Sequence, residues 1–139
     1  MSPFDEAELI AANQAFYTAF ERRDYAVMEA LWSRSAPVAC IHPGWDALFS
    51  RETVLESWRA ILGASRTPTV RCSRARAFVF GDAAYVVCTE SIGGADLVAT
   101  NVFVREDGTW RLVHHQAGPV AHRIDEDEDD DLPPSGMLN

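Results

Sequence analysis

The chain has 139 residues, 47% hydrophobic and 24% charged, with a formal net charge of -9. That length suits one domain with a sizeable core. Most of the net negative charge lies in seven consecutive acids, Asp125–Asp131 (DEDEDDD), so the rest is near neutral. The body has no basic patch, which argues against nucleic acid as a partner, and no apolar run reaches the roughly 18 residues of a membrane span.

Taken in chain order, three segments carry a helical period. In 5–22, Leu9, Ile10, Phe16, Tyr17 and Phe20 form one broad apolar stripe. Asp24 is placed as the N-cap of a second helix with Val27, Met28, Leu31 and Trp32 on one face. Ser50 is placed to cap a third, where Val54, Leu55, Trp58, Ile61 and Leu62 recur. Each stripe is one-sided and needs a surface to cover. That surface reads as a sheet. A short strand is expected at 37–42, and after Pro68 the period changes to two, with strands at about 69–80, 83–91, 96–106 and 109–117. Gly81-Asp82, Gly93-Gly94 and Asp107-Gly108 supply turn chemistry between them. Helices first and hairpins after them read as α+β with three helices and about five strands.

The domain is expected over 1–122, followed by an acidic, disordered tail over 123–139. The N-terminal MSPFDEAEL has early acids and no basic stretch, so it does not read as a secretory signal. Cys40, Cys72 and Cys88 are odd in number and widely spaced, which fits reduced thiols in a cytoplasm and gives no metal spacing. Phosphate-binding glycine motifs and GxSxG are absent from the sequence. Arg71, Arg74 and Arg76 on one strand could touch an anion, but on an edge strand they read first as solubilising charge.

The stretches FYTAFERRDYAVMEALW, CIHPGWDALFSRETVLESWRAIL and TNVFVREDGTWRLVHHQAGP resemble the nuclear transport factor 2-like superfamily, in its SnoaL-like branch. The resemblance runs from about Glu6 to Pro119. It implies a cone: a curved sheet wrapped around the first helix, a pocket at one end, and a homodimer packed through the outer sheet face. No cofactor is expected; a metal held by two histidines and one carboxylate, His42, His115 and Glu90, is conceivable, but no motif spacing supports it. It does not choose among isomerases, cyclases, dehydratases, hydrolases and non-catalytic association domains.

The resemblance also nominates site residues. Ketosteroid-isomerase-like members keep a carboxylate base before a proline, after the second helix; here His42 precedes Pro43. The family's oxyanion-facing acid falls at Asn101, and its phenol falls nearest Phe16, one residue from Tyr17. A one-residue offset turns a side chain about 100° around a helix, which puts the phenol role of Tyr17 in question. These departures argue against steroid isomerase chemistry. They leave a polar pocket of His42, Asn101 and His115, with His115 facing inward beside Val113 and Ala117 and His114 outward. Glu90 is placed either in the cavity or at its rim, and Phe103 shares a face with Asn101. Trp32 and Trp58 read first as core; Trp45, in a loop after Gly44, reads equally as core or as a lid. With Tyr17 they complete the expected ligand-binding set.

Two functions follow. In one, the chain is an enzyme acting on an apolar, cyclic or aromatic small molecule, with His42 as general base, Asn101 orienting a carbonyl, and His115 or Glu90 assisting. In the other, the cone is a non-catalytic ligand-binding or dimeric association domain.

Overall fold

The first helix, α1 (Pro3–Arg22), buries Leu9, Asn13, Phe16, Tyr17 and Phe20 along one stripe. The computed structural model describes residues 3–66 and 68–124, so most of the predicted tail, 125–139, lies outside the described residues. Ile10, expected in the stripe, is 37% exposed, because it sits about 100° around the helix from Leu9. Asn13 takes the buried position one turn on. Helix α2 (Tyr25–Leu31) begins as predicted: Asp24 Oδ1 accepts from the Val27 N–H at 3.1 Å. Met28 and Trp32 are fully buried, but Val27 is left exposed, since a seven-residue helix has only one narrow inward face.

Strand β1 (Ala39–Ile41) follows, then β2 (Leu48–Phe49), which the sequence pattern did not reveal. The two form a hairpin around HPGW, where Gly44 has φ +83° and the Trp45 N–H donates to the His42 carbonyl at 2.9 Å. Helix α3 (Arg51–Gly63) is capped by Ser50, whose Oγ accepts from the Thr53 N–H at 3.2 Å. Its buried face is Val54, Leu55, Ser57, Trp58 and Leu62.

Four long strands complete the chain: β3 (Val70–Phe80), β4 (Ala83–Ile92), β5 (Ala95–Glu106) and β6 (Thr109–Pro119). They pair as successive antiparallel hairpins, and β1 adds to β6 in parallel, giving the order β2-β1-β6-β5-β4-β3. The Asp107-Gly108 turn has positive φ at both residues, 54° and 77°, as a tight two-residue hairpin requires. The fold is therefore α+β, with three helices against one curved sheet of six strands.

The inner face carries Ala84, Val86, Cys88 and Glu90 from β4, Leu97, Ala99, Asn101 and Phe103 from β5, and Trp110, Leu112, His115 and Ala117 from β6. A bulge in β6 leaves Val113 unpaired: Val102 pairs His114 while Phe103 pairs Leu112. The expected alternation His115–Val113 therefore breaks. Leu112 and Trp110 turn inward in place of Val113, because one extra residue reverses the pleat. Among the described residues no helix is long and apolar enough to cross a membrane.

Candidate functional site

Four polar side chains meet inside the cone, each brought by a different element or face. Tyr17 comes from α1, Glu90 from β4, Asn101 from β5 and His115 from β6, and all four are at most 2% exposed. The Tyr17 hydroxyl donates to Glu90 Oε2 at 2.6 Å and accepts from Asn101 Nδ2 at 3.1 Å. Asn101 Nδ2 also donates to Asn13 Oδ1 at 2.8 Å. Asn101 Oδ1 lies 2.5 Å from His115 Nδ1. An amide oxygen only accepts, so His115 carries its proton on Nδ1. The other ring nitrogen, Nε2, lies 3.7 Å from Glu90 Oε2.

The charge state follows from burial. Desolvation lowers His115 to about 3, with His42 and His114 adding to the shift, so its ring is neutral at pH 7 and Nε2 holds a lone pair. Burial raises the Glu90 carboxyl, against a smaller opposing effect of the Tyr17 hydrogen bond. Burial likewise raises Tyr17. The cluster thus sets a carboxyl whose pKa is raised beside a neutral imidazole, within reach of a phenol and an amide. Two thiols border it. Cys88 Sγ is 3.3 Å from the Tyr17 hydroxyl, and Cys72 Sγ accepts from Asn13 at 3.7 Å.

His42 lies on the same side of the core but in a separate hydrogen-bond set. Its Nε2 is 2.8 Å from Ser57 Oγ. The single Ser57 hydroxyl proton goes to the Val54 carbonyl at 2.6 Å, so His42 Nε2 is the donor to Ser57. Burial lowers His42 to about 4. Among the described residues it makes no hydrogen bond to Asn101 or His115. Aromatic rings connect the two sets: Trp58 packs at 4.8 Å from His42 and 6.0 Å from His115, and Trp45 packs at 4.8 Å from His42. Trp45 is 49% exposed, whereas Trp58, Trp32 and Phe103 are fully buried. The Trp58 indole N–H is buried and, apart from a weak approach to the Cys40 sulfur, has no partner.

The structure thus brings Tyr17, Glu90, Asn101 and His115 together and holds His42 apart. Trp32 bridges to Leu112 of β6 and lies within the core. Two buried polar partners, Asn13 and Ser57, were not singled out in the sequence. Their signal was a polar residue at an inward position of an apolar helical stripe. Among the described residues no three His, Cys, Asp or Glu side chains assemble as a metal-binding group. The described cavities lie on outer surfaces. One of about 560 Å³ sits on the sheet's outer face, lined by Arg74, Arg76, Val98, Arg123 and Ile124 among others.

Comparisons with known proteins agree with this architecture. The profile of the SnoaL-like domain family matches residues 9–122. A candidate dehydratase of the NTF2-like family from Streptomyces avermitilis superposes with a TM-score of 0.78 at 35% identity, over 86% of this chain and 98% of that one. A candidate calcium/calmodulin-dependent protein kinase type II association domain from Thiobacillus denitrificans superposes at 0.71 with 34% identity, over 80% of this chain and 94% of that one. The F-box protein SKIP8 of Arabidopsis thaliana is 27% identical over 111 residues, 78% of this chain. The chain spans about half the length of that curated relative, 48%.

Proposed function

We propose that this chain, which belongs to the SnoaL-like domain family, binds a small, largely apolar cyclic molecule inside its cone and moves a proton on it. The observation that carries this reading is the buried set Tyr17–Glu90–Asn101–His115, in which a carboxyl with a raised pKa and a neutral imidazole stand 3.7 Å apart. Buried groups whose environments push acid and base into opposite roles are the usual makings of acid–base catalysis. His115 Nε2 is the base and Glu90 the acid. Asn101 and Tyr17 are positioning residues that hold both. His42, tied to Ser57, is a wall residue in this reading and not the base.

Elimination of water from a cyclic hydroxy-carbonyl compound fits this pair. His115 Nε2 takes the proton next to the carbonyl, a carbon–carbon double bond forms, and the hydroxyl leaves as water with the Glu90 proton. The 35% identity to a candidate dehydratase supports this class. The Trp58 N–H, held only by a weak approach to the Cys40 sulfur, is available to a substrate oxygen. Entry follows the aromatic line Trp45–His42–Trp58, which runs from the surface to His115, with Trp32 and Phe103 forming apolar wall. Cys40, Cys72 and Cys88 are unpaired, which fits a reducing cytoplasm. Packing of a second copy on the outer sheet face belongs to the same reading.

The test is incubation with a panel of cyclic β-hydroxy ketones in heavy water, followed by mass spectrometry. Deuterium uptake or loss of water by the wild type, abolished in His115→Asn and Glu90→Gln, supports the mechanism. Turnover that survives both substitutions sinks it.

A second reading, a non-catalytic association domain, draws on the closed interior: the polar set is no more than 2% exposed. The 34% identity to a candidate association domain belongs here. Under this reading no member of the panel binds or reacts, and the interior polar set serves packing alone.

A further inference from the structure

Two thiols border the polar set and have no part in the proton transfer. Cys72 lies near the start of β3 and is half-buried; Cys88 lies in β4 and is 2% exposed. The β3–β4 register sets Cys72 opposite Glu90, so Cys72 and Cys88 are diagonal neighbours on the inner face. A bulge between Ser73 and Arg76 then places one extra residue of β3 opposite Cys88. The side chains from Ser73 to Arg76 are exposed, and packing against the core resumes only at Ala77. Across from Cys88, therefore, no inward side chain of β3 intervenes, and the two sulfurs meet in a hydrogen bond. Each is also held from α1. Asn13 Nδ2 donates to Cys72 Sγ at 3.7 Å, and the Tyr17 hydroxyl lies 3.3 Å from Cys88 Sγ. The third cysteine, Cys40, is fully buried elsewhere, with its Sγ 3.8 Å from His42 Nε2.

We propose that Cys72 and Cys88 are a modification site, a dithiol that a hydroperoxide oxidises to a disulfide and that thiols restore. Cys72 is the sulfur within reach of the oxidant, and Cys88 is the resolving thiol beside it. Hydrogen bonds from Cys72 and Tyr17 lower the Cys88 thiol against its burial, so the pair gives up one proton and shares the other. With the shared proton on Cys88, the Cys72 thiolate attacks the peroxide and takes its OH. The O–O bond breaks, and the other oxygen leaves with a proton from solvent as alcohol or water. The Cys88 sulfur then attacks the Cys72 sulfenic acid. The S–S bond forms, the S–O bond breaks, and hydroxide leaves as water with the Cys88 proton. The dithiol loses two electrons, and the peroxide gains them. Strand β3 is the outermost strand of the sheet, paired only with β4, so it is free to yield as the sulfurs close. Closure draws Cys88 from the Tyr17 hydroxyl and Cys72 from Asn13, which loosens the hold on the polar set.

The experiment treats the full-length chain with hydrogen peroxide, alkylates it in denaturant and maps its peptides by mass spectrometry. All 3 cysteines alkylate before treatment. Afterwards Cys40 alone alkylates, a Cys72–Cys88 peptide pair appears within one chain, and dithiothreitol restores alkylation at every cysteine. In Cys88→Ser the sulfenic acid has no resolving thiol, so dimedone labels Cys72. In Cys72→Ser, Cys88 stays unlabelled because it is closed to solvent. The wild-type map decides by itself where a serine variant does not fold. Cys72 driven to sulfinic acid beside a free Cys88, a bridge that includes Cys40, or a bridge between two chains overturns the proposal. So does a wild-type chain whose thiols all survive while the same peroxide consumes free cysteine.

Discussion

The hydroxyl of Tyr17 and the carboxyl of Glu90, 73 positions apart in sequence, meet at 2.6 Å with almost no exposure of either residue. One hydrogen bond therefore joins the central helix to the middle of the sheet. Tyr17→Phe keeps the ring packed against Phe16, at 4.9 Å, but removes the donor to Glu90 and the acceptor for Asn101. Two buried polar atoms are left short of partners. The expected loss is about 1–3 kcal/mol of stability, read by urea denaturation. A midpoint unchanged from wild type shows that the pair contributes nothing.

Glu90 makes stability depend on pH in a stated direction. Burial raises its folded pKa above the ordinary value of 4.5. Above pH 4.5 the unfolded carboxyl loses its proton while the folded one keeps it, so stability falls as pH rises, until the folded pKa is passed. The slope is up to about 1.4 kcal/mol per pH unit. Glu90→Gln mimics the protonated acid and removes this dependence. Its stability relative to wild type is expected to be higher at pH 7 than at pH 5, and the same difference at both pH values contradicts a raised Glu90 pKa.

The histidines act with the opposite sign. His42 is lowered from 6.5 to about 4 in the fold. Below pH 6.5 the unfolded ring gains a proton that the folded ring refuses, so stability is lost as pH falls towards 4. His42→Gln keeps a donor for Ser57 but does not titrate. The variant should lose less stability than wild type between pH 6.5 and 4.5, by up to about 1.4 kcal/mol per pH unit in chemical denaturation. Parallel pH profiles for the two proteins count against a neutral, buried His42.

Ser50 combines a cap with strain. Its φ of 71° and ψ of 144° fall in a region that only glycine occupies easily. Ser50→Gly relieves about 1–3 kcal/mol of backbone strain and gives up a cap that glycine replaces with a loss of only a few tenths. A net gain of about 1 kcal/mol or more, seen as a higher melting temperature, is the expected result. Ser50→Ala keeps the strain and loses the cap, so it melts lower than wild type. If glycine also melts lower, the hydroxyl matters more than the strain.

Much of the fold was legible because local chemistry and long-range structure agreed. Asp24 and Ser50 cap the helices they were expected to cap, and the hairpin turns fall at Gly81-Asp82, Gly93-Gly94 and Asp107-Gly108. Strand β2 was not legible, since two residues carry no period. Ile10 and Val27 were assigned to buried faces, and apolar identity alone cannot say which edge of a stripe meets the sheet.

The candidate site divides along the same line. Residue type and face alternation already grouped Asn101 with Phe103 and Glu90 with Cys88, because a pleat has a strict period of two. Two matters needed the fold. The β6 bulge turns Leu112 inward in place of Val113 while keeping His115 inside, and an extra residue of this kind leaves no mark in composition. The partners of His42 and Tyr17 depend on side-chain directions across 15 and 73 residues of separation. By itself the sequence determined the α+β class, the helix starts and the inventory of polar groups, all set by short-range periodicity and turn chemistry. Only tertiary packing decided that Glu90 bonds to Tyr17 and lies 3.7 Å from His115, and that His42 answers to Ser57, because hydrogen-bond partnership is a matter of ångströms that no spacing rule encodes.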